Sequence, residues 1–400
     1  MTSLWRNRPF VVLWSGRLVS SLGSGVSAIA LPLLVLSVTG SPARAGLVAA
    51  ANGAPYFILA LPAGVAADRW NRRRILLACD AGRGAAWLAV AIDVYLGHPS
   101  LLLITTAAVF EGSLYVFHNT AMSAALPNVV SDEQLPAAVA QDSVILGTTD
   151  LLGPAVGGAL FQIGRAIPFL TDAATYAVSI VSILALRRPL QADRQEDHRS
   201  LLADAREGWR FLWRQSALRV MSLAGGLGDI LFAGIALVLI VTAQRRAHAT
   251  PAAIGAIFAA SAGAGMVGAV LGPRLMKRVG MGPTFMVATT LGALLFPLLI
   301  ATRTTVAIGA TWAANVAVLE VANVAQATFR LRLIPDRLRG RVGGLVDLVS
   351  YGGLPIGTAL AGLSLATLGP VGTLALMAGA RVVLTAWLLV TPAVRRLALA

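Results

Sequence analysis

Residues 64–74 read Gly-Val-Ala-Ala-Asp-Arg-Trp-Asn-Arg-Arg-Arg, a short polar turn between two apolar runs, 43–67 and 74–96. Crossing a bilayer as a helix takes about 20 residues, and both runs are long enough. In lipid every backbone amide must find its partner inside the chain, which leaves helices or closed barrels. A barrel would show alternating segments of about 10 residues, and the sequence has none. The turn therefore joins two membrane-spanning helices. Its four arginines place it on the side of the membrane that retains positive charge.

Outward from this turn the same pattern repeats. Twelve spans are expected at roughly 10–38, 43–67, 74–96, 100–125, 137–163, 167–186, 217–243, 251–275, 281–301, 304–329, 341–367 and 370–391. The composition agrees: 57% of the 400 residues are hydrophobic and 12% charged, with mean hydropathy +0.76, where soluble domains carry about 25% charged residues. The net charge of +14 does not point to a nucleic-acid partner, because the basic residues sit in short loops between spans. With the N-terminus inside, 24 of the 32 Lys and Arg fall on the cytoplasmic side, five outside, and Arg17, Arg83 and Arg381 within spans. That bias predicts a multi-pass protein of a bacterial inner membrane with both termini cytoplasmic. The first apolar stretch, from Phe10, is too long for a cleaved signal peptide and reads as a retained span. The lone Cys79 excludes an intramolecular disulfide and a cysteine-rich metal site.

The halves resemble each other weakly. Leu22-Gly23-Ser24 matches Leu227-Gly228-Asp229, Gly64 matches Gly272, Glu111 matches Glu320 and Pro127 matches Pro335, at nearly constant offsets. A duplicated six-helix unit is expected: an N-terminal bundle over 1–190, a cytoplasmic linker over 191–216 and a C-terminal bundle over 217–400. Two parallel repeats of this kind place a substrate site near the midplane. In the linker, Leu202, Ala205, Trp209, Leu212 and Trp213 recur at helical spacing, with Arg206, Arg210 and Arg214 on another face. That pattern predicts a basic amphipathic helix on the cytoplasmic leaflet.

The turn at 64–74 resembles the signature G-x-x-x-D-[RK]-x-G-[RK]-[RK] of the major facilitator superfamily, with Asn71 in place of the second glycine. Asparagine tolerates left-handed geometry, so the turn is expected to survive. The resemblance implies the major facilitator fold, an all-α membrane protein of twelve transmembrane helices in two pseudo-symmetric bundles. It also implies a conformational latch of Gly64, Asp68, Arg69, Arg72, Arg73 and Arg74. In span 5, Gly147 through Gly158 resembles the family's antiporter motif, whose Gly153, Pro154, Gly157 and Gly158 imply a helix bend associated with exporters. Ser41-Pro42, Glu207-Gly208-Trp209 and the segment Ile334–Val342, with Asp336 and Arg337, resemble the drug and siderophore efflux branch, the enterobactin-exporter-like proteins.

Ionisable residues within spans are costly and mark functional sites. Glu111, Tyr115, His118 and Met122 fall on one face of span 4, with Glu111 near mid-depth. Glu111, His118 and Asp150 are the candidate proton carriers. Spans 1, 4, 7 and 10 line the cavity in this superfamily, so the resemblance makes Ser24, Ser27, Glu111, Tyr115, Asp229, Asn315, Glu320 and Asn323 the candidate substrate ligands. Together they would give a cavity of net negative charge, suited to amphipathic or cationic molecules. Asp80, Arg83 and Asp142 read as gate or latch ion pairs near cytoplasmic helix ends, and Asp93 and Asp172 as solvated or capping residues near outer ends. Gly263-Ala-Gly265-Met-Val-Gly268 matches a dinucleotide fingerprint but lies inside a span, so helix packing is its expected role. With no nucleotide-hydrolysing loop, no metal cluster, no cofactor and no catalytic constellation, the chain reads as a non-enzymatic, ion-driven transporter. Its expected partners are a small-molecule substrate, protons and membrane lipid, and it is expected to act as a monomer. Proton-coupled efflux of drug-like compounds, siderophores or secondary metabolites is the leading expectation. A metabolite symporter, and a receptor or scramblase on the same fold, are the alternatives.

Overall fold

The computed structural model describes residues 4–186, 190–191, 201–335 and 338–392. Asp336 and Arg337 lie outside them, as does the 192–200 part of the linker. After a 3₁₀ turn at Leu4–Arg6, the described chain is helical and holds no strand: α1 (Arg8–Thr39), α2 (Pro42–Arg69), α3 (Arg72–Tyr95), α4 (Leu101–Val129), α5 (Leu135–Ile163), α6 (Ile167–Ala185), α7 (Leu201–Arg214), α8 (Ser216–Phe232), α9 (Ile235–Ala247), α10 (Pro251–Val279), α11 (Met281–Leu295), α12 (Leu298–Ala301), α13 (Thr305–Leu333) and α14 (Arg339–Val390).

Local sequence explains where these helices begin. The side chains of Asn7, Ser41, Asn71, Ser100 and Thr304 each accept a hydrogen bond from an amide three residues on, in the manner of N-caps. Pro42 stands in the first turn of α2, where its missing N–H costs nothing. Asn71 departs from expectation: its φ is −67°, not left-handed, and its carboxamide caps the Arg74 amide. The asparagine serves this turn as a helix starter rather than as a glycine substitute.

Among the described residues, eleven apolar helical stretches are long enough to cross a membrane. The last, Gly352–Val390, has 39 residues, about 58 Å at roughly 1.5 Å per residue, nearly twice a hydrocarbon core of about 30 Å. It is two limbs: Gly369 at φ 69° and ψ −179° leaves helical geometry, and Pro370 follows. A side chain at such a φ would be strained. Large apolar side chains face outward along the spans, with Ile58 70%, Leu102 75%, Ile163 74% and Val383 70% exposed. A soluble surface avoids contiguous patches of this kind, whereas lipid requires them. The chain is a multi-pass membrane protein.

The chain divides into two compact units, Met1–Gln195 with Thr250–Ala259, and Glu196–Ala249 with Ala260–Ala400. In the first, α1 packs on α5 and α6, α2 on α4, and α3 on α4 and α6. In the second, α14 packs on α8 and α9, and α11 on α13. The amphipathic α7 buries Leu212 in a cluster with Leu218, Ile334, Leu338 and Val342, while Trp209 and Trp213 stay exposed and stack edge to face.

Candidate functional site

In the first unit a set of polar side chains meets inside the helices. Arg83, the twelfth residue of the 24-residue α3, is 3% exposed. Its Nε and Nη2 donate to Glu111 Oε1 at 2.9 and 2.6 Å, and Nη2 also donates to Ser24 Oγ at 3.3 Å. The guanidinium lies over the rings of Tyr176 at 4.5 Å and Tyr115 at 5.2 Å, a cation–π sandwich. The other Glu111 oxygen accepts from Asn52 Nδ2 at 2.9 Å, and the same amide nitrogen donates to Ala108 O. Ser24 donates to Ser20 O and lies 3.0 Å from the Tyr176 hydroxyl. A buried ion pair offsets its desolvation only when its remaining valences are also satisfied, and this one has that support.

Two further carboxylates lie beside it. Asp172 is fully buried, accepts from Thr175 Oγ1 at 3.3 Å, and has buried Ser27 beside it without a well-directed hydrogen bond. Asp80, also fully buried, accepts from Ser179 Oγ at 2.6 Å, and its other oxygen is 3.2 Å from His118 Nε2, near enough for an ion pair but not aligned as a hydrogen bond. These positions correct the sequence reading. Arg83 and Asp80 do take ionisable partners, Glu111 and His118, but they lie buried within α3 rather than near its end, and Asp172 is buried, neither solvated nor capping. Of the expected α4 face, Glu111, His118 and Met122 turn into the unit, and Tyr115 alone is 42% exposed. Asp142 does pair at 2.7 Å, with Arg17 of α1.

The turn at 64–74 is tied down by its arginines. Arg72 donates to Ala67 O and Ala124 O at 2.9 and 2.8 Å, and Arg73 to Leu184 O at 2.7 Å. Ala67 and Leu184 stand in the last turns of α2 and α6, where a cation is favourable, and Ala124 lies five residues before the end of α4. Asp68 is largely exposed and 3.9 Å from Arg72, and Arg69 and Arg74 are exposed. A side chain at Gly64 would meet nothing within 4 Å, so no close packing inside the unit requires that glycine.

The span 5 motif makes backbone contacts. A Cβ on Gly153 would lie 2.8 Å from Gly25 Cα, Gly157 lies against Val26 and Ile29, and Gly158 against Pro251 and Gly255 of the same unit. Pro154 has no N–H to offer the Asp150 carbonyl. Asp150, mid-way along α5, is exposed and has no hydrogen-bond or ion-pair partner among the described residues.

The second unit contains a cavity of about 450 Å³. Of the expected ligands it gathers Asp229 and Asn323, together with Gln326, Arg330 and Arg381. Asn315 is fully buried elsewhere, donating to Gly292 O at 3.0 Å, and Glu320 accepts from Asn323 Nδ2 at 3.2 Å and lies beside Gly265 of α10. The lining of this cavity holds two arginines and one acid. Gly265 and Gly268 pack against α13, so the G-x-G-x-x-G match is helix packing. Cap positions also revise one repeat pairing. Glu111 and Asn315 both stand eleven residues past a capping hydroxyl, Ser100 and Thr304, which sets Asn315, not Glu320, in register with Glu111.

The comparisons with known proteins agree with this architecture. The profile of the transmembrane secretion effector family matches residues 2–398. The multidrug efflux pump Tap of Mycobacterium bovis is 28% identical over 380 residues, covering 89% of this chain and 87% of Tap. The enterobactin exporter EntS of Escherichia coli is 28% identical over 376 residues, covering 93% of this chain and 89% of EntS. Crystal structures of the nucleoside transporter NupG (TM-score 0.74, 14% identity, 95% of this chain and 98% of that one) and of a bacterial ferroportin homologue (TM-score 0.73, 16% identity, 96% and 99%) share the fold. The chain belongs to the transmembrane secretion effector family, a branch of the major facilitator superfamily of transporters rather than enzymes.

Proposed function

We propose that this chain is a proton-coupled exporter of drug-like compounds, siderophores or secondary metabolites, acting by antiport. It would cross the membrane twelve times, the limbs on either side of Gly369 being separate spans. Residues 1–190 and 217–400 would form two six-helix bundles joined by 191–216, with both termini cytoplasmic. The exporter relatives support the direction of transport. One observation carries the proton reading: the first unit encloses three carboxylates, Asp80, Glu111 and Asp172, around one buried guanidinium, Arg83, and one imidazole, His118. Unbalanced charge is costly in a dry interior, so this cluster balances by binding protons, and its proton count is what a transport cycle can change. A proton on Glu111 weakens its hold on Arg83 and frees the guanidinium to repartner. His118 beside Asp80 is a second proton position, and the exposed Asp150 a third. Asp68 and the arginines of the 64–74 turn act as the latch.

The test is accumulation of a fluorescent amphipathic dye and of a catecholate siderophore in cells with and without the protein, each with and without an uncoupler. Expression should lower accumulation, and the uncoupler should abolish the difference. Accumulation that never responds to expression rejects export, and efflux indifferent to the uncoupler rejects proton coupling. Glu111→Gln should insert normally and lose gradient-driven efflux; unchanged efflux would remove Glu111 as the carrier.

A further inference from the structure

Arg381 has the burial of a paired group without the pair. It is 7% exposed, and no carboxylate lies within 4.0 Å of its guanidinium among the described residues. It makes no hydrogen bond among them either; its neighbours are the Phe232 ring, 4.9 Å from Cζ, and the backbone of Gly292. A guanidinium offers five N–H donors in a fixed fork that matches an oxyanion. A buried cation left uncompensated is kept against its own cost where function uses it.

The first unit indicates what is missing. Arg83 and Gly292 each stand eleven residues past the start of their helices, α3 and α11. Glu111 and Asn315 share a register from their caps, and Tyr176 and Arg381 each stand twelve residues past Gly164 and Gly369, the breaks before their helices. In the first unit these three positions hold arginine, glutamate and tyrosine, and the pair is complete. In the second they hold glycine, asparagine and arginine. The cation has moved to a different helix, Gly292 makes room for it, and the carboxylate has become a neutral amide. In the second unit a cavity lies against this arginine, lined also by Phe232, Phe285, Asp229, Gln326 and Arg330.

We infer that this cavity binds an amphipathic molecule carrying a carboxylate or comparable oxyanion, with Arg381 as its ligand and Phe232 and Phe285 beneath its apolar body. The inference rests on the export reading and names the substrate class of that site. Asp229 tempers the cavity's positive charge, so its removal favours the anion further.

The test uses the purified full-length protein in lipid nanodiscs, titrated calorimetrically with naphthalene-2-carboxylate, its carboxamide and 2-naphthylmethylammonium. The carboxylate should bind at least about tenfold more tightly than the amide. R381Q should lose that preference and keep amide binding, R381K should retain part of it, and D229N should tighten the carboxylate several-fold. Variants are compared only as monodisperse preparations; R381K and D229N keep the Arg381-site charge and supply the reading should R381Q not fold. Equal binding of all three probes, tighter ammonium binding, no binding, a preference surviving in R381Q, or a D229N affinity unchanged from wild type each overturns the inference. No gradient is involved. An efflux-competent protein without carboxylate preference therefore sinks the inference alone, and a carboxylate-preferring protein that never lowers dye accumulation sinks the export reading alone.

Discussion

Arg83 and Arg381 are both buried guanidiniums within apolar helices, yet their surroundings differ in kind. Arg83 is held by Glu111, Ser24 and two tyrosine rings. Arg381 faces a cavity, one phenylalanine and a glycine backbone. In the first unit Arg83 is turned on Glu111; in the second Arg381 has no carboxylate within ion-pair distance among the described residues. We assign the difference, as proposed for each site, to two uses of an intramembrane charge: the closed network as the proton-exchanging one, the open one as the ligand's.

The comparison breaks first at Arg83. Arg83→Ala leaves Glu111, Asp80 and Asp172 enclosed with no guanidinium, and removing one partner of a buried pair costs about 3–5 kcal/mol. A large drop in melting temperature of the purified protein is expected, and a double Arg83→Ala, Glu111→Ala variant should lose less than the two singles together. Additive losses would mean the pair is not coupled. Arg72→Ala comes next. It removes two charged hydrogen bonds to backbone carbonyls of α2 and α4 and should cost about 2–3 kcal/mol, with faster amide exchange around Ala67 and Ala124. Arg381→Leu sharpens the contrast with the smallest shift, of opposite sign. Removing an uncompensated buried cation should leave the melting temperature unchanged or raise it, by about 1 kcal/mol of stability. A loss comparable to that of Arg83→Ala would show that Arg381 is structurally paired after all.

Most of the fold is legible in the sequence, because continuous apolar runs and arginine bias are local signals. Less of the site is. Glu111 stands out as an acid at mid-span, but Arg83, twelve residues into its helix, reaches it only because α3 packs on α4, a contact no spacing encodes. Asp172 stands early in α6 and by position alone reads as a solvated residue; packing of α6 on α1 and α3 buries it. In α13, helical geometry sorts the candidates. Asn315 and Glu320, five residues apart, are about 140° apart around a helix and cannot share a face. Asn323, Gln326 and Arg330 follow at steps of three and four, and that stripe faces the cavity. Arg330 and Arg381 also line this cavity, whereas their sequence positions assign them to a loop and a span.

Arg72 and Arg73 are adjacent residues, yet between them they hold backbone carbonyls near the ends of three helices, Ala67 of α2, Ala124 of α4 and Leu184 of α6. Helices fastened to one such anchor cannot slide past one another at that end without breaking several bonds at once. Whatever displacement the first unit undergoes, α2, α4 and α6 must travel in lockstep there, and adjustment among them is confined to their far ends.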